Sequence, residues 1–151
     1  EKDEKITLWS ERIHEFQSSG QTCKTWCQEH HVPVSTMNYW MHNRLLACGA
    51  TNLRKSYHGL AAIIKLKFKL DPYSRCMFAF CNRRRTSIKI LQWDGSGFWI
   101  LMKRLDRDSF HWPDTPDELQ KVTLKEMHWL CDGLSLTPKG AFEERHPKIV
   151  V

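Results

Sequence analysis

The hydrophobic pattern of this chain changes period near residue 76, and that change limits it to folds that combine helices with a sheet. Before that point the apolar residues recur at three- and four-residue steps. Cys76-Met77-Phe78-Ala79-Phe80 then reads as one buried strand, and residues 86–93 and 97–104 read as two more. Asp94-Gly95-Ser96-Gly97 separates the last two runs. A short polar link containing Gly between two β-rich runs predicts a hairpin.

Upstream, Ile6, Trp9, Ile13 and Phe16 line one face of a helix over residues 6–18, which Ser18-Ser19-Gly20 ends. Thr22 is placed to cap a second short helix carrying Cys23, Trp26 and Cys27. Pro33 disfavours helix at Val32. Ser35 is then expected to cap a third helix with Met37, Tyr39, Trp40 and Met41 along it. Three short helices with tight turns predict a helix-turn-helix in which the third reads DNA. Leu45-Leu46-Ala47-Cys48 suggests a strand ending at Gly49, and Asn52 a cap for a helix over roughly 53–68. Asp71-Pro72-Tyr73-Ser74 reads as a turn. Further on, Phe110-His111-Trp112-Pro113 suggests a short edge strand. Thr115 and Thr123 suggest caps of C-terminal helices, the last stopped by Gly133. The expected fold class is α+β: a helix-turn-helix head over 1–44, an antiparallel sheet packed with helices over 45–136, and a tail over 137–151.

Charge is distributed unevenly along this framework. Residues 1–44 carry net −1, residues 45–113 net +9, and residues 114–151 net −2. The whole positive excess therefore lies in the middle, which predicts an anionic partner there. Arg83-Arg84-Arg85 falls at the turn between two strands. Arg54 and Lys55 open the preceding helix, and Lys89, Lys103 and Arg104 belong to the hairpin. Guanidinium forks match phosphate oxygens, so these eight residues are the candidate phosphate-binding set. Ser35, Thr36, Asn38 and Tyr39 on the third helix are the candidates for contact in a major groove. Trp93, Trp99 and Trp112 lie among the cations and suit either core filling or base stacking.

Other chemistries find little support. Cys23, Cys27, His30 and His31 crowd into one helical turn and its end, with no remote pair to complete a zinc site. Cys76 and Cys81 lie five residues apart on a strand and so point to opposite faces. Among the acids of the basic segment, Asp71 and Asp94 read as turn residues and Asp106 with Asp108 as a loop pair. The sequence has no phosphate-loop glycine motif, no His-Glu-x-x-His and no nucleophile elbow. No catalytic residue, metal or cofactor is predicted. No apolar run approaches the roughly 20 residues of a membrane span. The opening Glu-Lys-Asp-Glu-Lys does not resemble a secretory signal, so a cytoplasmic, nucleoid-associated protein with reduced cysteines is expected.

An ordered series of motifs carries a family resemblance. It runs through Leu46-Ala47-Cys48-Gly49-Ala50-Thr51-Asn52-Leu53-Arg54-Lys55, Gly59-Leu60-Ala61-Ala62 and Leu70-Asp71-Pro72. It continues through Phe78-Ala79-Phe80-Cys81-Asn82-Arg83-Arg84-Arg85 and Lys89-Ile90-Leu91-Gln92-Trp93-Asp94. Gly97-Phe98, Lys103-Arg104-Leu105 and Phe110-His111-Trp112-Pro113 complete it. Residues 45–136 thereby resemble the TnpB accessory proteins of the insertion sequence sixty-six family of bacterial transposable elements. The family favours Asp where this chain has Asn52. Residues 6–43, through Trp9-Ser10-Glu11-Arg12-Ile13, Ser19-Gly20, Trp26-Cys27 and Tyr39-Trp40, resemble the head of the family's other accessory protein, TnpA. The chain thus joins a TnpA-like head to a TnpB-like body. The resemblance implies a non-catalytic role in transposition, through binding DNA at the element ends or through assembly with the transposase and the other accessory protein.

Overall fold

The computed structural model describes residues 2–41, 43–115, 118–136, 138, 140 and 142. Three helices come first: α1 (Lys2–Ser19), α2 (Cys23–Glu29) and α3 (Val34–Met41). Then follow β1 (Arg44–Ala47), α4 (Tyr57–Leu66), β2 (Met77–Cys81), β3 (Ser87–Trp93), β4 (Phe98–Arg104), β5 (Leu119–Val122) and α5 (Leu124–Cys131). The fold is α+β.

The five strands form one sheet in the order β4-β3-β2-β1-β5. β1 and β2 run parallel, pairing Leu45 with Phe78, while the other neighbours are antiparallel. The sheet is therefore mixed rather than wholly antiparallel. The reason is α4: a helix between two strands carries the chain back across the sheet, which a parallel neighbour requires. β5 is a strand that the sequence pattern does not announce. Its sequence Leu-Gln-Lys-Val is half polar, and it is a strand because Leu119 to Val122 pair with Ala47 to Arg44. Thr115 accordingly caps no helix among the described residues, and Phe110–Pro113 is an irregular segment rather than an edge strand.

Side-chain alternation divides the core between two faces. Leu45, Ala47, Phe78, Phe80 and Leu91 pack under α4, against Leu60 and Ile64, and against Ile6 of α1. Leu46, Ala79, Cys81 and Ile88 pack on the other face with Phe110, Trp112, Met127 and Leu130. Cys76 lies in the first cluster and Cys81 in the second, as their odd spacing requires. Burial in these clusters pushes both thiols up to about 11. No disulfide links any of the six cysteines.

The local signals mostly hold. Gly20 ends α1 at φ 69° and Gly133 follows α5 at φ 85°. The Thr22 hydroxyl accepts from Thr25 N–H at 3.2 Å. Thr123 and Glu126 exchange side-chain and backbone bonds in a capping box. Two helix starts differ. α3 begins at Val34, with Met37 N–H reaching Pro33 C=O, so Ser35 lies inside the helix. α4 is preceded by Ser56, because Asn52 instead organises a turn by accepting from Arg54 N–H at 3.1 Å.

The three N-terminal helices share a core of Trp9, Ile13, Trp26, Cys27 and Met37. Trp40 stacks on Trp9 with centroids 5.6 Å apart and also packs against the sheet cluster. Asp71 N–H donates to Ser10 Oγ at 3.3 Å, and the Asp71 carboxylate lies 2.7 Å from His14 Nδ1. The helices are thus tied to the sheet by apolar and polar contacts alike.

Candidate nucleic-acid interface

The parallel pair β1 and β2 sends two loops out of the same end of the sheet, and both are held by short-range bonds. The turn from Asn82 to Thr86 is built on one side chain. Asn82 Oδ1 accepts from Thr86 N–H at 2.9 Å and from Ser87 N–H at 3.1 Å, while Asn82 Nδ2 donates to Thr86 Oγ1 at 3.0 Å. Arg85 N–H closes the turn on Asn82 C=O at 3.1 Å. Asn suits this position because its short side chain can satisfy several backbone donors at once. The result presents Arg83 and Arg84 to solvent.

The loop after β1 is fastened beside it. Gly49 N–H donates to Pro113 C=O and Thr51 N–H to Cys81 C=O, each at 2.8 Å. Gly49 has φ 78°, a backbone shape that favours glycine. Trp112 Nε1–H donates to Ala47 C=O at 2.9 Å, so this tryptophan is a core side chain. Lys89 Nζ donates to Leu53 C=O and, at 3.4 Å, to Lys55 C=O, which pins the 53–55 turn over the sheet.

Between the two loops and the end of β4 lies an open cleft of about 620 Å³. Arg54 enters from the first loop, Arg83 and Arg84 from the second, and Arg104 from β4, where it sits opposite Ser87. Thr51, Asn52, Asn82, Thr86 and Ser87 add hydroxyl and amide groups, and no carboxylate among the described residues lines the cleft. Four guanidiniums with polar neighbours and no acid make a surface complementary to a phosphate chain.

The eight predicted cations therefore divide. Arg54, Arg83, Arg84 and Arg104 converge on the cleft, and Lys55 is exposed beside Arg54. The other three are engaged within the protein. Arg85, at φ 59°, turns back so that its guanidinium donates to Trp112 C=O and, at 2.7 Å, to the Asp114 carboxylate. Lys89 holds the 53–55 turn, and Lys103 Nζ donates to Cys131 C=O, at the end of α5, at 2.6 Å. Sequence reading assigned no binding role to Thr51, Asn82, Thr86 and Ser87. Asn82, placed between a buried run and three arginines, was the available signal of an ordered turn.

Ser35, Thr36 and Asn38 do not line the cleft. Ser35 and Asn38 are exposed on α3 and Thr36 is half-buried, while Met37 faces the helical core. The Tyr39 side chain lies outside the described residues. Among the three tryptophans, Trp93 is half-buried against Tyr73 and Phe98, and Trp99 is 61% exposed. Among the described residues no three His, Cys, Asp or Glu side chains gather as metal ligands, and no helix is long and apolar enough to cross a membrane.

Fold and cleft together define a mixed-sheet α+β protein with an arginine-lined cleft at one end of its sheet. Sequence comparison gives the kinship: a family model described as IS66 Orf2 like protein matches residues 42–141. The chain belongs to this TnpB family of IS66 insertion sequences and is an insertion-sequence accessory protein. Two relatives come from Sinorhizobium fredii (strain NBRC 101917 / NGR234). The uncharacterized protein y4hO is 28% identical over 103 residues, covering 68% of this chain and 83% of its own length. The uncharacterized protein y4jC is 28% identical over 93 residues, covering 62% and 80%. No solved structure matches the chain.

Proposed function

We propose that this protein assists transposition without catalysing it, by gripping duplex DNA through the arginine cleft, at the element ends and within the bacterial nucleoid. The observation that carries this reading is the convergence of Arg54, Arg83, Arg84 and Arg104 on a cleft that no carboxylate among the described residues lines. Lys55 extends the cationic surface. Arg85, Lys89 and Lys103 serve it indirectly, by fixing the loops and β4 in place. Ser35, Thr36, Asn38 and Tyr39 of α3 supply groove contacts in the same proposal. Because phosphate contacts carry no sequence information, any preference for element ends has to come from α3 or from DNA shape.

A second reading has the same cleft meet an acidic patch on the transposase, with DNA affinity incidental. Two measurements separate the readings. Fluorescence anisotropy with a labelled duplex of the element's terminal repeats should show binding that Arg83→Ala/Arg84→Ala weakens. A pull-down of the transposase should lose its complex when the lysate is treated with nuclease. A complex that survives nuclease, together with no duplex binding, overturns the DNA reading in favour of the adaptor.

A further inference from the structure

β4 ends the sheet on one side, and its outer edge pairs with nothing among the described residues. Edge strands are ordinarily short, charged or covered, because their open backbone groups recruit other strands. This one is seven residues long and exposed from Trp99 to Arg104. Its middle residues Trp99, Ile100, Leu101 and Met102 are apolar, and each is between 38% and 61% exposed.

The ladder alternation shows which backbone groups are open. Asp94 N–H donates to Gly97 C=O at 3.1 Å at one end of the hairpin, and Leu105 N–H donates to Thr86 C=O at 2.8 Å at the other. With Trp93 opposite Phe98 and Ser87 opposite Arg104, the pairs bonded to β3 are those of Trp99, Leu101 and Lys103. The N–H and C=O groups of Phe98, Ile100, Met102 and Arg104 therefore point away from the sheet.

We propose that this edge pairs with the same edge of a second copy of the chain, antiparallel and centred on Leu101, so that two five-stranded sheets become one. In that register Ile100 bonds Met102 of the second copy and Phe98 bonds its Arg104, which satisfies every open group of the strand. Leu101 meets its counterpart on the two-fold axis, and Trp99 meets Lys103.

The strand's own polarity names the occupant. Its aromatic residues, Phe98 and Trp99, are at one end and its cations, Lys103 and Arg104, at the other. An antiparallel copy sets the aliphatic stem of each cation against a ring, a favourable contact. A parallel copy would set like charges side by side. Trp99 is held ready for this contact, since its indole N–H donates to Asp94 Oδ2 at 2.7 Å. Directly opposite residues of an antiparallel pair share a face. Both arginine clefts would then open on the same side, with the two Arg104 Cα atoms about 20 Å apart along the strands. The inference rests on the edge alone and does not depend on what the clefts bind.

Sedimentation equilibrium of the full chain, from low micromolar to a few hundred micromolar, tests it. Wild type should move from monomer to dimer across that range. Leu101→Lys places two ammonium groups on the axis, and Leu101→Glu places two carboxylates there. Each variant alone should raise the dimer dissociation constant at least about tenfold. An equimolar mixture of the two should restore wild-type association, because unlike charges then meet. Leu101 is 53% exposed, so both variants should melt within a few degrees of wild type, which separates loss of pairing from loss of fold. A wild type that stays monomeric throughout overturns the proposal. So do variants that associate as tightly as wild type, or a mixture that remains monomeric while both components are folded.

Discussion

Replacing Arg85 by Ala should lower stability and leave DNA affinity almost unchanged, although Arg83 and Arg84 beside it belong to the proposed binding cleft. Arg85 is 27% exposed, and its fork reaches Trp112 C=O and the Asp114 carboxylate. The carbonyl bond is half-buried and charge-assisted, which is worth about 1.5–3 kcal/mol. The Asp114 side chain is 84% exposed, so the ion pair adds at most about 1 kcal/mol. Alanine keeps the left-handed backbone at φ 59° and loses both contacts. The expected loss is about 2–3 kcal/mol, which for a chain of this size lowers the melting temperature by roughly 5–10 °C. Calorimetry or circular dichroism reads the melt, and anisotropy at a temperature well below it reads DNA binding. Arg85→Lys should recover only part of the loss, because an ammonium group cannot reproduce the two-pronged geometry. If R85A melted like wild type yet lost DNA affinity to the extent of Arg83→Ala, the division of labour within the triplet would be refuted.

Two further outcomes follow from the same contacts. Lys89→Met should free the Leu53 and Lys55 carbonyls and loosen the loop that carries Arg54, which hydrogen exchange would detect as faster exchange over residues 51–55. Stability should also fall as pH rises from 9 through 11. The unfolded Cys76 and Cys81 thiols lose their protons near 9, whereas the buried ones hold theirs to about 11, so the unfolded state gains on that interval; denaturant midpoints measured at pH 8, 9.5 and 10.5 would show it.

Legibility in the sequence followed locality. The Asp94–Gly97 hairpin, the Gly20 and Gly133 stops and the Thr123 cap depend on residues within a few positions of one another, and all were readable. β5 was not, because Leu119–Val122 is extended only by virtue of β1, some seventy residues earlier. The parallel pairing of β1 with β2 is implicit in the helix between them, whereas the hairpin signal in the sequence marks antiparallel partners alone. The basic segment was legible as a charge imbalance. Its division was not: Arg83, Arg84 and Arg85 look alike in sequence. What separates Arg85 is a positive φ and acceptors 27 and 29 residues away. Lys89 and Lys103 were likewise claimed by carbonyls 36 and 28 residues distant.

The decisive measurement is the salt dependence of duplex binding for wild type and for Arg83→Ala/Arg84→Ala. Four cleft arginines neutralising one phosphate each give a slope of log affinity against log salt of about −3.6, and removing two of them should bring it to about −1.8. A slope shared by both proteins, or an affinity that salt does not change, would contradict the account.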